Sequence, residues 1–226
     1  MRKDALTVVI PAYNEEKHIE SVLKKLEKAK FIDEVMVVDD GSTDGTAEIV
    51  KKHKKIKLLQ YGANKGKGYA MRYGAKHVKT PYFVFFEGDD QLYVEDIKKM
   101  KQKLLQGYDL VVGKRNLSII PWPRRFNIYM STFALFLATG KIIKDPVSGF
   151  LGFKTSKFKE LKLTKNRFEV ETQLRYKAAK KGFKTAYVKE KVKYHSKKLI
   201  DFNKLNWKLS FKIFLYQAKL VMRCED

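Results

Sequence analysis

Val35-Met36-Val37-Val38-Asp39-Asp40-Gly41-Ser42-Thr43-Asp44-Gly45-Thr46 runs from an apolar, β-branched segment into paired carboxylates and then into turn residues ahead of a helix. Ser42 and Asp44 are suited to capping that helix. Asp39 and Asp40 are different, because they stand where a strand stops, and in open α/β sheets ligands bind outside the carboxyl ends of the strands.

The pattern repeats in both directions. Leu6 to Ile10, Lys57 to Gln60, Tyr82 to Phe86 and Leu110 to Val112 read as further strands, and Ile19 to Ala29, Gly45 to Lys54, Gly68 to Val78 and Val94 to Leu105 as helices between them. Apolar runs separated by periodic helices imply βαβ units, hence an α/β fold with a Rossmann-like, mostly parallel sheet covered by helices on both faces. Past Gly113 the pattern loosens into a Pro/Trp/Arg segment, Pro121 to Arg125. A helix follows, then a loop around Asp145 to Phe150, a helix from about Phe168 to Lys181, and a last helix over roughly Asn203 to Met222 with Leu205, Leu209, Ile213, Tyr216 and Leu220 on one side. There is no internal repeat or low-complexity linker, so 1–226 is expected to be a single unit.

Composition narrows the function. The 226 residues carry a formal net charge of +23, with lysines spread from Lys3 to Lys219, which favours anionic partners: a nucleotide, nucleic acid or an acidic membrane face. The one cysteine, Cys224, excludes an internal disulfide and a thiol metal site, so a reducing, cytoplasmic compartment is expected. The start Met1-Arg2-Lys3-Asp4 leads into a short strand-like run, which is not the pattern of a signal peptide. The longest apolar stretch, Ile128 to Ala138, falls short of the about 20 residues of a bilayer span, so a soluble or peripheral protein is expected. A nucleic-acid-binding module would show basic residues interleaved with exposed aromatics or a known motif. None is present, and no nucleic-acid partner is expected.

The turn after the first strand, Pro11-Ala12-Tyr13-Asn14-Glu15-Glu16, contains no glycine, which removes a dinucleotide-binding fingerprint, and the Walker pattern is absent as well. What it offers is a ring, Tyr13, and a carboxylate, Glu15, for stacking on and hydrogen-bonding a base; Asp40 would accept from a base N–H or a ribose hydroxyl. Asn64-Lys65-Gly66-Lys67-Gly68 is a glycine-relaxed loop before a helix, with Lys65 and Lys67 placed to meet phosphate or ribose oxygens. At Glu87-Gly88-Asp89-Asp90-Gln91 the period of an extended segment puts Glu87, Asp89 and Gln91 on one side, three oxygen donors suited to Mg²⁺ or Mn²⁺. Asp90 is left to cap the next helix.

In order along the chain, these motifs, together with Gly113-Lys114-Arg115, Asp145 to Phe150 and Phe168 to Leu174, resemble the family-2 glycosyltransferases, and within them the polyprenyl-phosphate (dolichol-phosphate) sugar synthases. The resemblance implies a GT-A fold, a nucleotide-sugar donor such as GDP-mannose or UDP-glucose, and inversion at the anomeric carbon. It places Pro11, Tyr13, Glu15, Val38 and Asp40 around the base and ribose, with Lys65, Glu87, Gly88 and Asp89 along the rest of the donor, and makes Glu87, Asp89 and Gln91 the metal triad. The family usually opens that triad with aspartate; this chain has Glu87, one methylene longer. Residues 1–113 would form the nucleotide-sugar-binding half, 114–199 the acceptor half and 200–226 a C-terminal amphipathic helix.

A lipid-phosphate acceptor, with a second ionisation near pKa ~6 by analogy with phosphoamino acids, is already a nucleophile and needs cations and no base. Arg115 and Arg124 or Arg125 are the candidates, since guanidinium binds phosphate as a fork. A hydroxyl acceptor would need a carboxylate base, Asp145 or Glu171. Reaching a dolichyl phosphate also requires the bilayer surface. Basic residues gain about 1 kcal/mol each near an anionic leaflet. The helix with Phe133, Leu135, Phe136 and Leu137, and the last helix with Trp207, Phe211, Phe214 and Leu215, would add apolar area at the cytoplasmic face, with room for a separate membrane subunit as partner. The relatives' valine-proline strand and glycine-x-serine-lysine loop read here as Val188-Lys189-Glu190-Lys191-Val192 and Tyr194-His195-Ser196-Lys197-Lys198, where His195 is either a phosphate contact or a surface histidine among lysines.

Overall fold

The apolar runs become the strands of one sheet in the computed structural model, which describes residues 2–120, 122–193 and 207–222. In chain order the elements are β1 (Leu6–Ala12), α1 (Ile19–Glu27), β2 (Glu34–Asp39), α2 (Thr46–Lys52), β3 (Ile56–Gln60), α3 (Lys67–His77), β4 (Tyr82–Phe85), α4 (Val94–Leu105), β5 (Leu110–Lys114), α5 (Trp122–Thr139), β6 (Leu151–Lys154), α6 (Thr155–Glu160), α7 (Glu169–Lys180), β7 (Thr185–Lys189) and α8 (Trp207–Val221). The seven strands lie in the order β3-β2-β1-β4-β6-β5-β7, and only β6 runs antiparallel to its neighbours. The mostly parallel α/β sheet read from the sequence is the one observed.

Alternation along each strand feeds two cores. Leu6, Val8 and Ile10 of β1, Val35 and Val37 of β2, and Val84 of β4 join Val22, Leu23, Ile97 and Met100 of α1 and α4 on one face. Val9, Val38, Phe83 and Phe85 join Met71 of α3, Phe158 of α6, and Val170 and Leu174 of α7 on the other. Rings of Phe83, Phe85, Phe153 and Phe158 meet edge-on and offset at 5.1–6.3 Å in that second layer. Because the sheet is covered on both sides, its open edge is the row of strand ends: Ala12, Asp39, Phe85 and Lys114 finish there, and antiparallel β6 begins there.

Three local readings change. The helix expected after the Pro/Trp/Arg segment begins inside it, at Trp122, since proline fits the first turn of a helix, where its missing N–H is no loss. β6 and α6 were not legible as separate elements. Asp90 does not cap α4: with φ 57° it turns toward α1, where Lys25 Nζ donates to it at 2.5 and 2.7 Å and Ser21 Oγ at 3.1 Å.

The expected amphipathic helices also separate in role. On α8, Tyr216 and Leu220 are buried with Leu135, Ile143 and Tyr176, so that stripe is core. On α5, Leu135 faces the same core, whereas Trp122, Phe126, Tyr129, Phe133, Phe136 and Leu137 stand exposed along its outer side. Pro121 and residues 194–206, His195 among them, lie outside the described residues, as do the side chains of Arg124, Leu209, Trp207, Phe211 and Phe214. Among the described residues no helix is long and apolar enough to cross a membrane.

Candidate active site

The turn after β1 is positioned by the turn after β2. Asn14, with φ 56°, donates its N–H to Ser42 Oγ (3.0 Å) and accepts the Thr43 N–H on Oδ1 (2.8 Å). The Glu15 N–H donates to Thr46 Oγ1 (2.8 Å), and Asp44 accepts the Glu16 and Thr46 N–H groups at 3.2 and 3.0 Å. Asp44 thus serves the helix start, while Ser42 latches two turns together. Asp39 accepts from the Ser42 N–H and from Gln60 Nε2, both at 3.1 Å.

Asp40 holds the glycine loop. Its Oδ1 accepts the Lys65 N–H (2.8 Å) and the Tyr61 hydroxyl (2.9 Å), and its Oδ2 accepts the Gly66 N–H (2.9 Å). Gly66 needs its φ of +96°, and a Cβ there would fall 2.5 Å from the Asn166 carbonyl, so this loop and the segment before α7 are fitted to each other.

Between these turns lies a cleft of about 550 Å³, whose walls include Pro11, Tyr13, Glu15 and Asp40 on one side and Glu87, Gly88 and Asp89 on the other. Lys67, Arg167 and Phe168 close it from the α3 and α7 side. Tyr13 is 45% exposed, an open ring face at the rim. Val38 and Lys65 stand outside it: the Val38 side chain is fully buried in the core, and the Lys65 ammonium lies over the Tyr61 and Tyr69 rings at 5.5 and 4.7 Å.

The cleft carries an excess of negative charge. Burial, then repulsion from Asp89 and Glu87, raises Glu15 to about 7. Burial, then Glu87, raises Asp89 too. Glu87 goes down, because the Lys67 ammonium donates to its Oε1 at 2.9 Å; the same Nζ donates to Glu171 Oε1 at 2.8 Å. Hard carboxylate oxygens under mutual repulsion suit Mg²⁺ or Mn²⁺ chemically. Among the described residues no three His, Cys, Asp or Glu side chains cluster closely enough to hold a metal by themselves, so such an ion would draw its other ligands from a diphosphate and water. Gln91 gives its N–H to Asp89 Oδ1 (3.1 Å) and its carbonyl to the Lys193 N–H (2.8 Å), and its side chain is not among the cleft walls.

Beyond the cleft, at the end of β5, Arg115 clasps Asp145: Nε to Oδ2 at 2.9 Å, a terminal nitrogen to Oδ1 at 2.5 Å, and the Arg115 N–H to Oδ2 at 3.1 Å. Burial works against both charges, yet the pairing holds the Asp145 carboxyl below its usual range and the Arg115 guanidinium above its own. Arg125 donates to the Ile120 carbonyl (3.0 Å), a local contact, and its Nε is buried without a partner. The sequence reading passed over two buried groups nearby. Arg175, fully enclosed on α7, donates to the Glu171 (2.9 Å) and Ser148 (2.5 Å) carbonyls. Glu190, just past β7, stands 3.4 Å from Ser148 Oγ, and burial raises it to about 8 against the pull of Arg115. Neither could be found from pattern: Glu190 sits in an alternating charge run that reads as solvated, and Arg175 in a helix rich in cations.

The sequence matches the protein family described as glycosyl transferase family 2 over residues 7–162. Glycosyltransferase AglJ of Haloferax volcanii is 32% identical over 190 residues, covering 82% of this chain and 62% of that protein. Dolichol-phosphate mannosyltransferase of Pyrococcus furiosus is 29% identical over 178 residues, covering 73% of this chain and 50% of its own length. The chain therefore spans about half to three-fifths of these two relatives. Among solved structures, glucosyl-3-phosphoglycerate synthase from Mycobacterium tuberculosis, in complex with Mn²⁺, UDP-glucose and phosphoglyceric acid, superposes with a TM-score of 0.73 at 19% identity, covering 98% of this chain and 81% of that one. That likeness is one of fold.

Proposed function

Because the chain belongs to glycosyl transferase family 2, we propose that it moves a hexose, mannose or glucose, from GDP-mannose or UDP-glucose to a polyprenyl (dolichyl) phosphate at the cytoplasmic face of a membrane, with inversion and with Mg²⁺ or Mn²⁺. The observation that carries the choice of acceptor is the state of the two carboxylates able to act as a base toward a hydroxyl. Asp145 is committed to Arg115 and Glu171 to Lys67. Glu190, raised to about 8, holds its proton at neutral pH. Neither Asp145 nor Glu171 is therefore free to serve a hydroxyl acceptor as base, whereas a phosphate oxyanion requires none.

In this reading residues 1–113 hold the donor. Tyr13 stacks on the base, Glu15 accepts from the base or ribose, and Asp40 fixes the Lys65-Gly66 backbone beside them. Glu87 and Asp89 would hold the divalent ion, which when bound neutralises charge on the departing nucleoside diphosphate. In the acceptor half, 114–199, Asp145 fixes the Arg115 guanidinium as a fork and leaves its other terminal nitrogen for the acceptor phosphate. The dolichol-phosphate acceptor named for the similar mannosyltransferase of Pyrococcus furiosus supports this choice of acceptor.

The outer face of α5 is the bilayer contact of this reading. Trp122, Phe126, Tyr129, Phe133 and Phe136 recur every three or four residues, so they share one side of the helix. A chain with net charge +23 draws that side toward acidic lipid.

Radiolabelled GDP-mannose and UDP-glucose, each incubated with the protein, Mn²⁺ and dolichyl phosphate in acidic vesicles, test the assignment. Label is expected in the organic phase as an acid-labile lipid product. Label transferred only to water-soluble saccharides would replace the lipid acceptor with a sugar.

A further inference from the structure

Lys67 occupies an unusual position for the first residue of a helix. Gly66 and Gly68 flank it, and a Cβ on Gly68 would lie 2.4 Å from the Lys165 carbonyl, so the backbone on both sides of the lysine is pressed against the segment leading into α7. The Tyr69 N–H also donates to the Asn166 carbonyl at 3.1 Å. From this fixed base the ammonium reaches Glu87 Oε1 at 2.9 Å and Glu171 Oε1 at 2.8 Å. Gly149 makes the fourth wall: a Cβ there would lie 2.8 Å from Lys67 Nζ and 2.3 Å from Glu87 Oε1. The fold thus leaves out a side chain where this ion pair needs room.

Glu87 is therefore shared. It is one of the two cleft carboxylates that would hold a divalent ion, and a built-in monovalent cation already sits on it. A divalent ion approaching the empty cleft meets both a competitor for its ligand and a positive charge next to it. A nucleoside diphosphate changes that balance, because its oxygens offer Lys67 an alternative partner. The four-carbon stem of lysine permits the swing, and Glu171 keeps the ammonium tethered meanwhile.

We infer that Lys67 makes divalent-cation loading conditional on the nucleoside diphosphate: the ammonium holds Glu87 until diphosphate oxygens take it over, and only then is Glu87 open to the metal. This deepens the donor-site reading and rests on it. Linkage makes the effect reciprocal, so the nucleotide and the metal each tighten the other by one and the same factor.

The test is a Mn²⁺ titration, followed by the electron paramagnetic resonance of the free ion, on the wild-type chain and on Lys67→Met, with and without GDP or UDP. The wild type is expected to bind Mn²⁺ weakly alone and about tenfold or more tightly with nucleotide, within the usual range of coupling factors. Lys67→Met is expected to bind Mn²⁺ alone about tenfold more tightly than the wild type, with the nucleotide effect largely lost; Lys67→Arg, which keeps the charge, should retain the coupling. If Lys67→Met does not fold by circular dichroism, Lys67→Gln carries the same expectation. Equal Mn²⁺ affinity in wild type and neutral variant, with unchanged coupling, overturns the inference while leaving the donor site standing. Failure of the wild type to bind either nucleotide, with or without Mn²⁺, overturns both.

Discussion

Replacing Arg115 by Met strands a buried charge. The Asp145 side chain is 1% exposed and Arg115 26% exposed, and without the guanidinium the carboxylate keeps only the residue-115 N–H at 3.1 Å. Breaking a buried pair in this way costs about 3–5 kcal/mol, against a total stability for a domain of about 5–15 kcal/mol. With a urea m-value of about 3 kcal/mol/M, the unfolding midpoint drops by about 1–1.7 M. Asp145→Asn keeps the shape and removes the charge, so its cost is smaller, about 1–3 kcal/mol. In the double variant Arg115→Met/Asp145→Leu the apolar pair restores much of the loss, since buried ion pairs exchanged for apolar groups of similar volume are often neutral. Equilibrium urea unfolding of the wild type, Arg115→Met, Asp145→Leu and the double variant, read by far-ultraviolet circular dichroism and tryptophan fluorescence, gives the coupling directly. A loss below about 1 kcal/mol in Arg115→Met, or single costs that simply add, would show that the pair behaves as a solvated one and that the geometry argued for the acceptor side is wrong. The double variant, being folded, should also bind nucleotide normally and fail to use lipid phosphate.

Gly149→Ala should cost little stability, because the atoms it meets are side-chain ends, yet weaken Mn²⁺ binding in the presence of nucleotide, because the new methyl group takes the place of the Glu87 carboxylate itself, 2.3 Å from its Oε1; thermal unfolding and the Mn²⁺ titration separate the two effects. Gly74→Ala is its opposite: a Cβ there lies 2.6 and 2.8 Å from Val9 and Val38, deep in the core, so about 1–3 kcal/mol of stability is lost in urea unfolding. Glu190, raised from 4.5 to about 8, keeps a proton in the native state that the unfolded chain has released, so stability falls as pH rises from about 4.5 through 8. Glu190→Gln removes that fall, and parallel curves of Tm against pH for the two proteins would refute it. Glu15 should titrate with a midpoint of about 7 in the metal-free protein by carboxyl NMR; a midpoint at the ordinary 4.5 would mean the cleft carboxylates do not sense one another.

The parts of this fold that were legible in the sequence are those where one physical demand dominates. Leu6 to Ile10 and Val35 to Val38 are buried on both faces and so are apolar throughout except at Thr7, whose hydroxyl is bonded to Glu34 and Thr80, and their ends mark the cleft. Leu151-Gly152-Phe153-Lys154 gave no such signal: it is four residues long, and its Gly152 is there so that Leu104 and Val84 can approach, both 3.3–3.4 Å from where a Cβ would be. Asp90 was misread because its role depends on one backbone angle that swings it toward Lys25. Lys67 was visible as a cation in a glycine loop, but its bond to Glu171 spans 104 positions and could come only from the folded chain. Arg175 and Glu190 have the composition of surface residues and the surroundings of core.

The reversed strand β6 has a consequence for how the chain assembles. β4 and β5 are consecutive strands, yet they never touch; β6, made some 40 residues later, is laid between them, pairing Phe83 with Phe153 on one side and Leu110 with Phe153 on the other. Until residues 151–154 arrive, β4 presents an open edge and β5 has no neighbour on that side, a state prone to pairing with other chains. A ribosome-bound or truncated product ending near 113 is therefore an incomplete sheet and no independent nucleotide-binding module, and the late, long-range closure makes folding slow and all-or-none across both halves.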